Sequence, residues 1–302
     1  MVWIMSFKQI LPDISGWKRI NDHYTREKVE GMPKVTLVVP TCNDGHLLEE
    51  TIQSYLLQKN VDKELIIVDA NSGDHTPAII EKYKEHIFRV YYVTDLNIPM
   101  MVNKGFALSR GQYVFFLFPG VQLLNQYCLS HIALLALEDL LPEVIFSGTY
   151  LTKSYFESVK EVFTLSMSDI EMQYVYFPLN KTWLKRGFFP TSPCSIWFKR
   201  EYIKKIGGIN YKSHSLRNGF YDMLCRIIKD KNVRISSTFW STTLTDTLSE
   251  KRYLSQKEVF STWPLIGKHF GWMNAALWFF RKKPLKFISF LFSRANSFFR
   301  EK

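Results

Sequence analysis

Three short apolar runs dominate the first part of the chain: Val35-Thr36-Leu37-Val38-Val39, Leu65-Ile66-Ile67-Val68 and Tyr113-Val114-Phe115-Phe116-Leu117. A strand with one face in water alternates apolar and polar residues, so runs without that alternation belong to strands covered on both faces. Between the first two runs, Leu48, Ile52, Tyr55 and Leu56 fall near one face of a helix predicted from about Leu47 to Gln58. After the second run, Ala70-Asn71-Ser72-Gly73-Asp74 supplies turn residues, with Thr76 as the expected cap and Pro77 at the first helical position. A strand over Arg89 to Val93 and a helix around Asn103 to Ser109 continue the alternation. The pattern predicts an α/β fold with a mainly parallel sheet and helices on both faces. Ligands of such sheets sit at the carboxyl ends of the strands, so the loops after Val39, Val68 and Leu117 should line a site.

Beyond Leu124 the pattern loosens into a leucine-rich helix (about Leu129 to Leu141), a strand (Val144 to Phe146) and a segment holding Trp197, Phe198 and Arg226. With 46% hydrophobic and 16% aromatic residues, the 302-residue chain can bury enough surface to offset its ordering entropy, which excludes bulk disorder. Its formal net charge of +11 points to a polyanionic partner (nucleic acid, an anionic membrane or a phosphorylated substrate) or to a surplus kept for solubility. No zinc finger or basic zipper is present, so nucleic acid is not the expected partner. The four cysteines (Cys42, Cys128, Cys194, Cys225) form no close pair, which disfavours a zinc site and a disulfide framework and fits a reducing cytoplasm. No apolar run reaches the roughly 18–20 residues of a membrane span, and Met1 to Met5 is too short for the core of a signal peptide.

Three segments together resemble the family 2 glycosyltransferases. Val38-Val39-Pro40-Thr41-Cys42-Asn43 is similar to their first strand and loop. Ile66 to Asp69, followed by Ala70-Asn71-Ser72-Gly73-Asp74-His75-Thr76, resembles their second strand and its Asp-x-x-Ser-x-Asp-x-Thr turn. Asn103-Lys104-Gly105, then Gly111 and Tyr113 to Leu117, resembles their Asn-Lys-Gly helix and fourth strand. The resemblance covers about a third of the chain and is nearest to bacterial enzymes of polysaccharide synthesis. It implies a GT-A-like, Rossmann-related fold and a nucleotide-sugar donor, UDP-linked, passed to a glycan or lipid-linked acceptor. By analogy Pro40, Thr41, Asn43, Asp69, Ser72 and Asn103 would bind the nucleotide. The expected organisation is an N-terminal extension (1–32), a nucleotide-sugar half (33–125), an acceptor half (126–262) and basic aromatic helices (263–302).

The pattern departs from the family where chemistry is expected. Phe118 and Gly120 stand where members carry the acids of an Asp-x-Asp metal motif, and no Asp or Glu occurs between Asp95 and Glu138, so no metal site is assigned. Met100 and Pro193-Cys194 replace further polar positions. The base position falls on Phe220, which leaves Asp222 as the candidate catalytic base; an acid followed by Arg226 four residues later is equally a helix-face ion pair. Without acids, a leaving diphosphate would need cations, for which Lys104, Arg110, Lys199, Arg200, Arg217 and Arg226 are candidates. The competing expectation is an inactive relative that binds nucleotide or glycan, or serves as a scaffold. The tail from Trp263 interleaves aromatics with Lys and Arg, and Glu301 is its only acid. That composition suits helices lying on anionic lipid at the cytoplasmic membrane face, or an aromatic face packed on the main domain, with Pro284 dividing the segment.

Overall fold

A computed structural model describes residues 31, 33–152, 172–175, 179, 181–185, 192–213, 215–246 and 262–282. The expected N-terminal extension therefore lies outside the described residues, apart from Gly31. The first strand β1 (Val35–Thr41) pairs in parallel with β2 (Lys63–Asp69) on one side and β4 (Tyr113–Phe116) on the other, and β3 (Arg89–Tyr92) extends the sheet beyond β2. All three apolar runs are central strands, and β1 and β4 are buried at every position.

The second half completes one mixed sheet. It comprises β5 (Gln122–Leu123), β6 (Val144–Thr152), β7 (Met172–Val175), β8 (Ile196–Lys199) and β9 (Ile235–Asp246). The order is β3-β2-β1-β4-β8-β6-β9-β5, with β7 on β6. Here β8 runs antiparallel to both β4 and β6, which turns β6 and β9 back into the direction of β1. Trp197 of β8 stacks on Phe115 of β4 at 3.7 Å between ring centroids, so aromatic packing joins the two halves.

Nine α-helices are described. They are α1 (Gly45–Leu56), α2 (Thr76–Lys82), α3 (Ile98–Leu108), α4 (Cys128–Glu138), α5 (Lys181–Lys185), α6 (Arg200–Ile206), α7 (Leu216–Ile227), α8 (Trp263–Phe270) and α9 (Trp272–Lys282). The chain steps from β1 to β2 to β3 in one direction and returns from β3 across the sheet to β4. Right-handed crossovers then place α1 and α2 on one face and α3 on the other. The helix α3 starts earlier than the spacing alone suggests. Asn97 caps it, its Oδ1 accepting from the Met100 N–H at 3.0 Å, and Pro99 occupies the first turn. At α2 the cap position falls on His75, whose side chain makes no cap bond; Asp74 Oδ1 accepts from the first helical N–H, that of Thr76, at 2.9 Å.

Glycine at 105 is required by the contact of α3 with β1. A Cβ there would lie 2.2 Å from Val38 Cγ1. Gly105→Ala is expected to destabilise the fold by about 1–3 kcal/mol through overpacking, outweighing the better helix propensity of alanine. Thermal unfolding checks this; an unchanged or higher melting temperature would show that Val38 can give way.

Candidate functional site

The carboxyl ends of β1 and β2 lie side by side, with Thr41 opposite Asp69 in the parallel register. The two turns that follow are locked together. The Asn43 N–H donates to Ser72 Oγ at 2.8 Å, and the Gly73 N–H returns a bond to Asn43 Oδ1, also at 2.8 Å. Both turns use left-handed asparagines, Asn43 at φ 55° and Asn71 at φ 53°, a conformation that asparagine tolerates better than most residues.

Asp69, 1% exposed, sits at the base of this cradle. Its Oδ1 accepts from Ser72 Oγ–H at 2.5 Å and its Oδ2 from the Ser72 N–H at 3.0 Å. Each carboxylate oxygen keeps a further lone pair for a ligand hydroxyl or N–H. Pro40 is buried within β1 and pairs with Val68; its missing N–H costs nothing on the side of β4, whose pairing with β1 ends at Val38. Beside it, Thr41 Oγ1 is buried and has no hydrogen-bond partner, so a polar acceptor is oriented at the strand end without a protein group to meet it.

Several neighbours were not singled out from sequence. Asp44, His46 and His75 edge the same turns: Asp44 is buried, and the two histidine side chains are 62% and 59% exposed at the starts of α1 and α2. Glycine at 45 permits this arrangement, since a Cβ would lie 2.6 Å from His75 Cδ2. The run Thr41-Cys42-Asn43-Asp44-Gly45 does read as turn and cap residues before a helical stretch, but no local signal brings His46 and His75 together.

Asn103 is committed elsewhere. Its Nδ2 donates to the Ile209 carbonyl at 2.7 Å and its Oδ1 accepts from the Ile209 N–H at 2.8 Å. The amide thus clamps the segment between α6 and α7, where Gly208 at φ +65° comes within what would be 2.4 Å of Asn103 Oδ1 if it bore a Cβ.

The loop after β4 is an apolar plug. Phe118 is 3% exposed and meets Phe116 edge to face at 5.4 Å. Thr51 of α1 binds the turn: its Oγ1 accepts from the Gly120 N–H at 3.0 Å and lies 2.9 Å from the Val121 carbonyl. A divalent cation here would need several hard oxygen ligands. The residues present do not fit one, because Phe118 and Gly120 offer no side-chain oxygen and the described residues contain no group of three His, Cys, Asp or Glu able to hold a metal.

Asp222, on α7, is 3% exposed and its oxygens meet three nitrogen donors. Arg226 Nε donates to Oδ2 at 2.9 Å, while Lys268 Nζ and His269 Nε2 reach Oδ1 at 3.0 and 2.8 Å. Lys229 Nζ lies 3.2 Å from His269 Nδ1, and an ammonium only donates, so Nδ1 accepts and the ring's proton points from Nε2 to Asp222. Against the cost of burial, the bonds from His269 and Lys268 and the charge of Arg226 hold the Asp222 carboxyl well below its ordinary range. A carboxylate so stabilised is a weak proton acceptor.

The candidate cations also divide by position. Arg110 stacks 3.6 Å from the Phe88 ring centroid and pairs with Glu64 at the start of β2. Lys199 Nζ binds the Leu141 carbonyl at 3.2 Å, and Arg200 Nη1 binds the Ser109 carbonyl at 3.1 Å. All three lie near the amino ends of the parallel strands, opposite the cradle. Lys104 stands 4.3 Å over the Tyr91 ring, Arg226 is held by Asp222, and Arg217 lies in the first turn of α7.

The comparisons with known proteins agree with this architecture. Residues 36–117 match the model of Glycosyl transferase family 2. The chain is 41% identical over 91 residues to the poly(ribitol-phosphate) beta-N-acetylglucosaminyltransferase TarP of Staphylococcus aureus, covering 28% of each protein. It is 33% identical over 98 residues to a GalNAc(5)-diNAcBac-PP-undecaprenol beta-1,3-glucosyltransferase of Campylobacter jejuni, covering 31% of this chain and 32% of that one. The matched region thus spans about a third of these relatives' length. Among solved structures, S. aureus TarS 1–349 in complex with UDP-GlcNAc superposes with a TM-score of 0.57 at 15% identity, covering 83% of this chain and 73% of that one. The mannosyltransferase PcManGT of Pyrobaculum calidifontis, in complex with GDP-Man and Mn2+, superposes with a TM-score of 0.53 at 14% identity, covering 93% and 87%. Residues 36–117 are thus similar to glycosyl transferase family 2, and the mixed, central-parallel sheet around them has the GT-A fold of those structures.

Proposed function

We propose that this protein is a glycosyltransferase that takes a sugar from a nucleotide-sugar donor, UDP-linked, and passes it to a glycan or lipid-linked acceptor in cell-surface polysaccharide synthesis. One observation carries the reading. The turns after β1 and β2 are locked into a polar cradle whose Asp69 carboxylate and unpartnered Thr41 hydroxyl sit at the strand ends. Pro40, Thr41, Asn43, Asp69 and Ser72 would hold the nucleotide, while Asn103 would act by fixing the segment between α6 and α7 through the Ile209 backbone. The solved TarS complex with UDP-GlcNAc supports the choice of donor class.

The loop at Phe118–Gly120 and the saturated Asp222 favour a second reading, an inactive relative that retains the nucleotide pocket and serves as a binding or scaffold protein. In both readings the protein works at the cytoplasmic face of an anionic membrane, which residues 263–302 engage. No helix among the described residues is long and apolar enough to cross a membrane.

Calorimetric titration with UDP tests both the pocket and the missing metal. Saturable binding of equal affinity in Mn2+ and in EDTA is expected. An affinity that depends on Mn2+ would overturn the reading of the β4 loop, and absence of binding under both conditions would remove the donor site. Sugar release from UDP-GlcNAc then separates the enzyme from the inactive relative.

A further inference from the structure

The helices α8 and α9 meet at Gly271, whose φ of +91° makes the turn; Pro284, the expected break, lies outside the described residues. Inward, Ile266, Ala275 and Trp278 are buried at 0, 0 and 5% exposure. Trp272 covers Gly267, where a Cβ would lie 2.5 Å from Trp272 Cε3, and meets Trp263 edge to face. The contact of α8 with α7, fastened by Asp222, fixes the pair on the main domain.

The other side of α9 is also apolar. Trp272, Met273 and Leu277 are 61, 77 and 54% exposed. At 100° per residue they fall within one 140° sector, with Ala276 between them, while Ala275 and Trp278 fall on the opposite side. The described residues hold nine exposed large apolar side chains, and three of them crowd this helix. A helix whose buried face is already satisfied and whose outer face remains apolar needs a second apolar environment. The charge around it states which kind. From Trp263 to Arg300 the sequence has no acid, and α9 ends in Arg281 and Lys282, with Lys283 next. Apolar side chains flanked by cations match an anionic lipid surface, where the former insert at the acyl boundary and the latter meet headgroups.

We propose that the outward face of α9, formed by Trp272, Met273 and Leu277, is the element that seats the protein in the plane of an anionic lipid surface. This rests on the membrane-surface reading above and assigns it to one helix face. It orients the domain, because α9 is tied through α8 to α7.

The test is flotation of the full chain with vesicles of phosphatidylcholine alone or mixed with phosphatidylglycerol, and the variant is Met273→Ser/Leu277→Ser. Trp272 is left in place because it packs on Gly267 and Trp263. The native protein is expected to float with the anionic vesicles, and the double variant to lose about tenfold or more in partitioning with unchanged melting temperature and UDP affinity. A double variant that floats like the native chain overturns the assignment to α9 but leaves membrane binding by residues 263–302 standing. Failure of the native chain to float overturns both. A lipid-free dimer of the native chain that the double variant abolishes would give the face to a second copy, and the proposal would fall.

Discussion

Replacing Asp222 by alanine is expected to cost about 3 kcal/mol of stability, the low end of the loss on removing one partner from a buried ion pair. Three donors lose their acceptor together: Arg226, Lys268 and His269. They do not suffer equally. The Lys268 side chain is 60% exposed and can turn to water, whereas that of His269 is 6% exposed. Arg226 keeps two other acceptors, the carbonyls of Ile206 and Gly208, and so remains clamped between α6 and α7. Denaturant titration of Asp222→Ala measures the effect. Asp222→Asn, which keeps the shape and one acceptor oxygen, should recover part of the loss.

The pH dependence has a definite sign. The folded carboxyl titrates below its ordinary range, so the unfolded chain binds the proton first on acidification. The stabilisation from Asp222 is fully present above the ordinary carboxylate pKa and is lost as pH falls through the lower folded value. The stability gap between the native protein and Asp222→Ala should be flat near neutrality and shrink below about pH 4. The same variants separate anchoring from catalysis. An anchor predicts that Asp222→Asn lowers the melting temperature while any turnover by the remaining folded protein persists; a base predicts abolished turnover with little change in melting.

Asp69→Ala is expected to weaken UDP binding by about 10- to 100-fold, as loss of a hydrogen bond to a charged acceptor implies. Asp69 has two duties, orienting the Ser72 turn and presenting its remaining lone pairs. Ser72→Ala distinguishes them. It removes the hydroxyl that bridges Asp69 and Asn43 but leaves the carboxylate and the Ser72 N–H bond in place. A drop much smaller than for Asp69→Ala places the affinity in the carboxylate. Equal drops would mean that turn geometry is the whole effect, and unchanged affinity in Asp69→Ala would remove the residue from the site.

Much of the region from β1 to β4 was legible in the sequence because its signals are local. The apolar runs became β1, β2 and β4, and the Asn43–Asp44 and Asn71–Ser72 turns fell at the strand ends as their composition requires. Local signals were also misread. The start of α3 was set by Asn97 and Pro99 rather than by the Asn103 stretch, and the cap position of α2 fell on His75 rather than Thr76, whose hydroxyl instead accepts from the Asp44 N–H at 3.2 Å.

What the sequence determined by itself was the parallel part of the sheet, β1 to β4, and its turns, since side-chain period and turn chemistry act over a few residues. Tertiary structure alone decided how the polar groups are used. Asn103 meets Ile209 across 106 residues, Asp222 meets Lys268 and His269 across 46 and 47, and Arg110 meets Glu64 across 46. A buried charge or amide must find partners wherever the chain brings them. The sequence shows which residues carry that requirement, and only the fold shows which partner satisfies it.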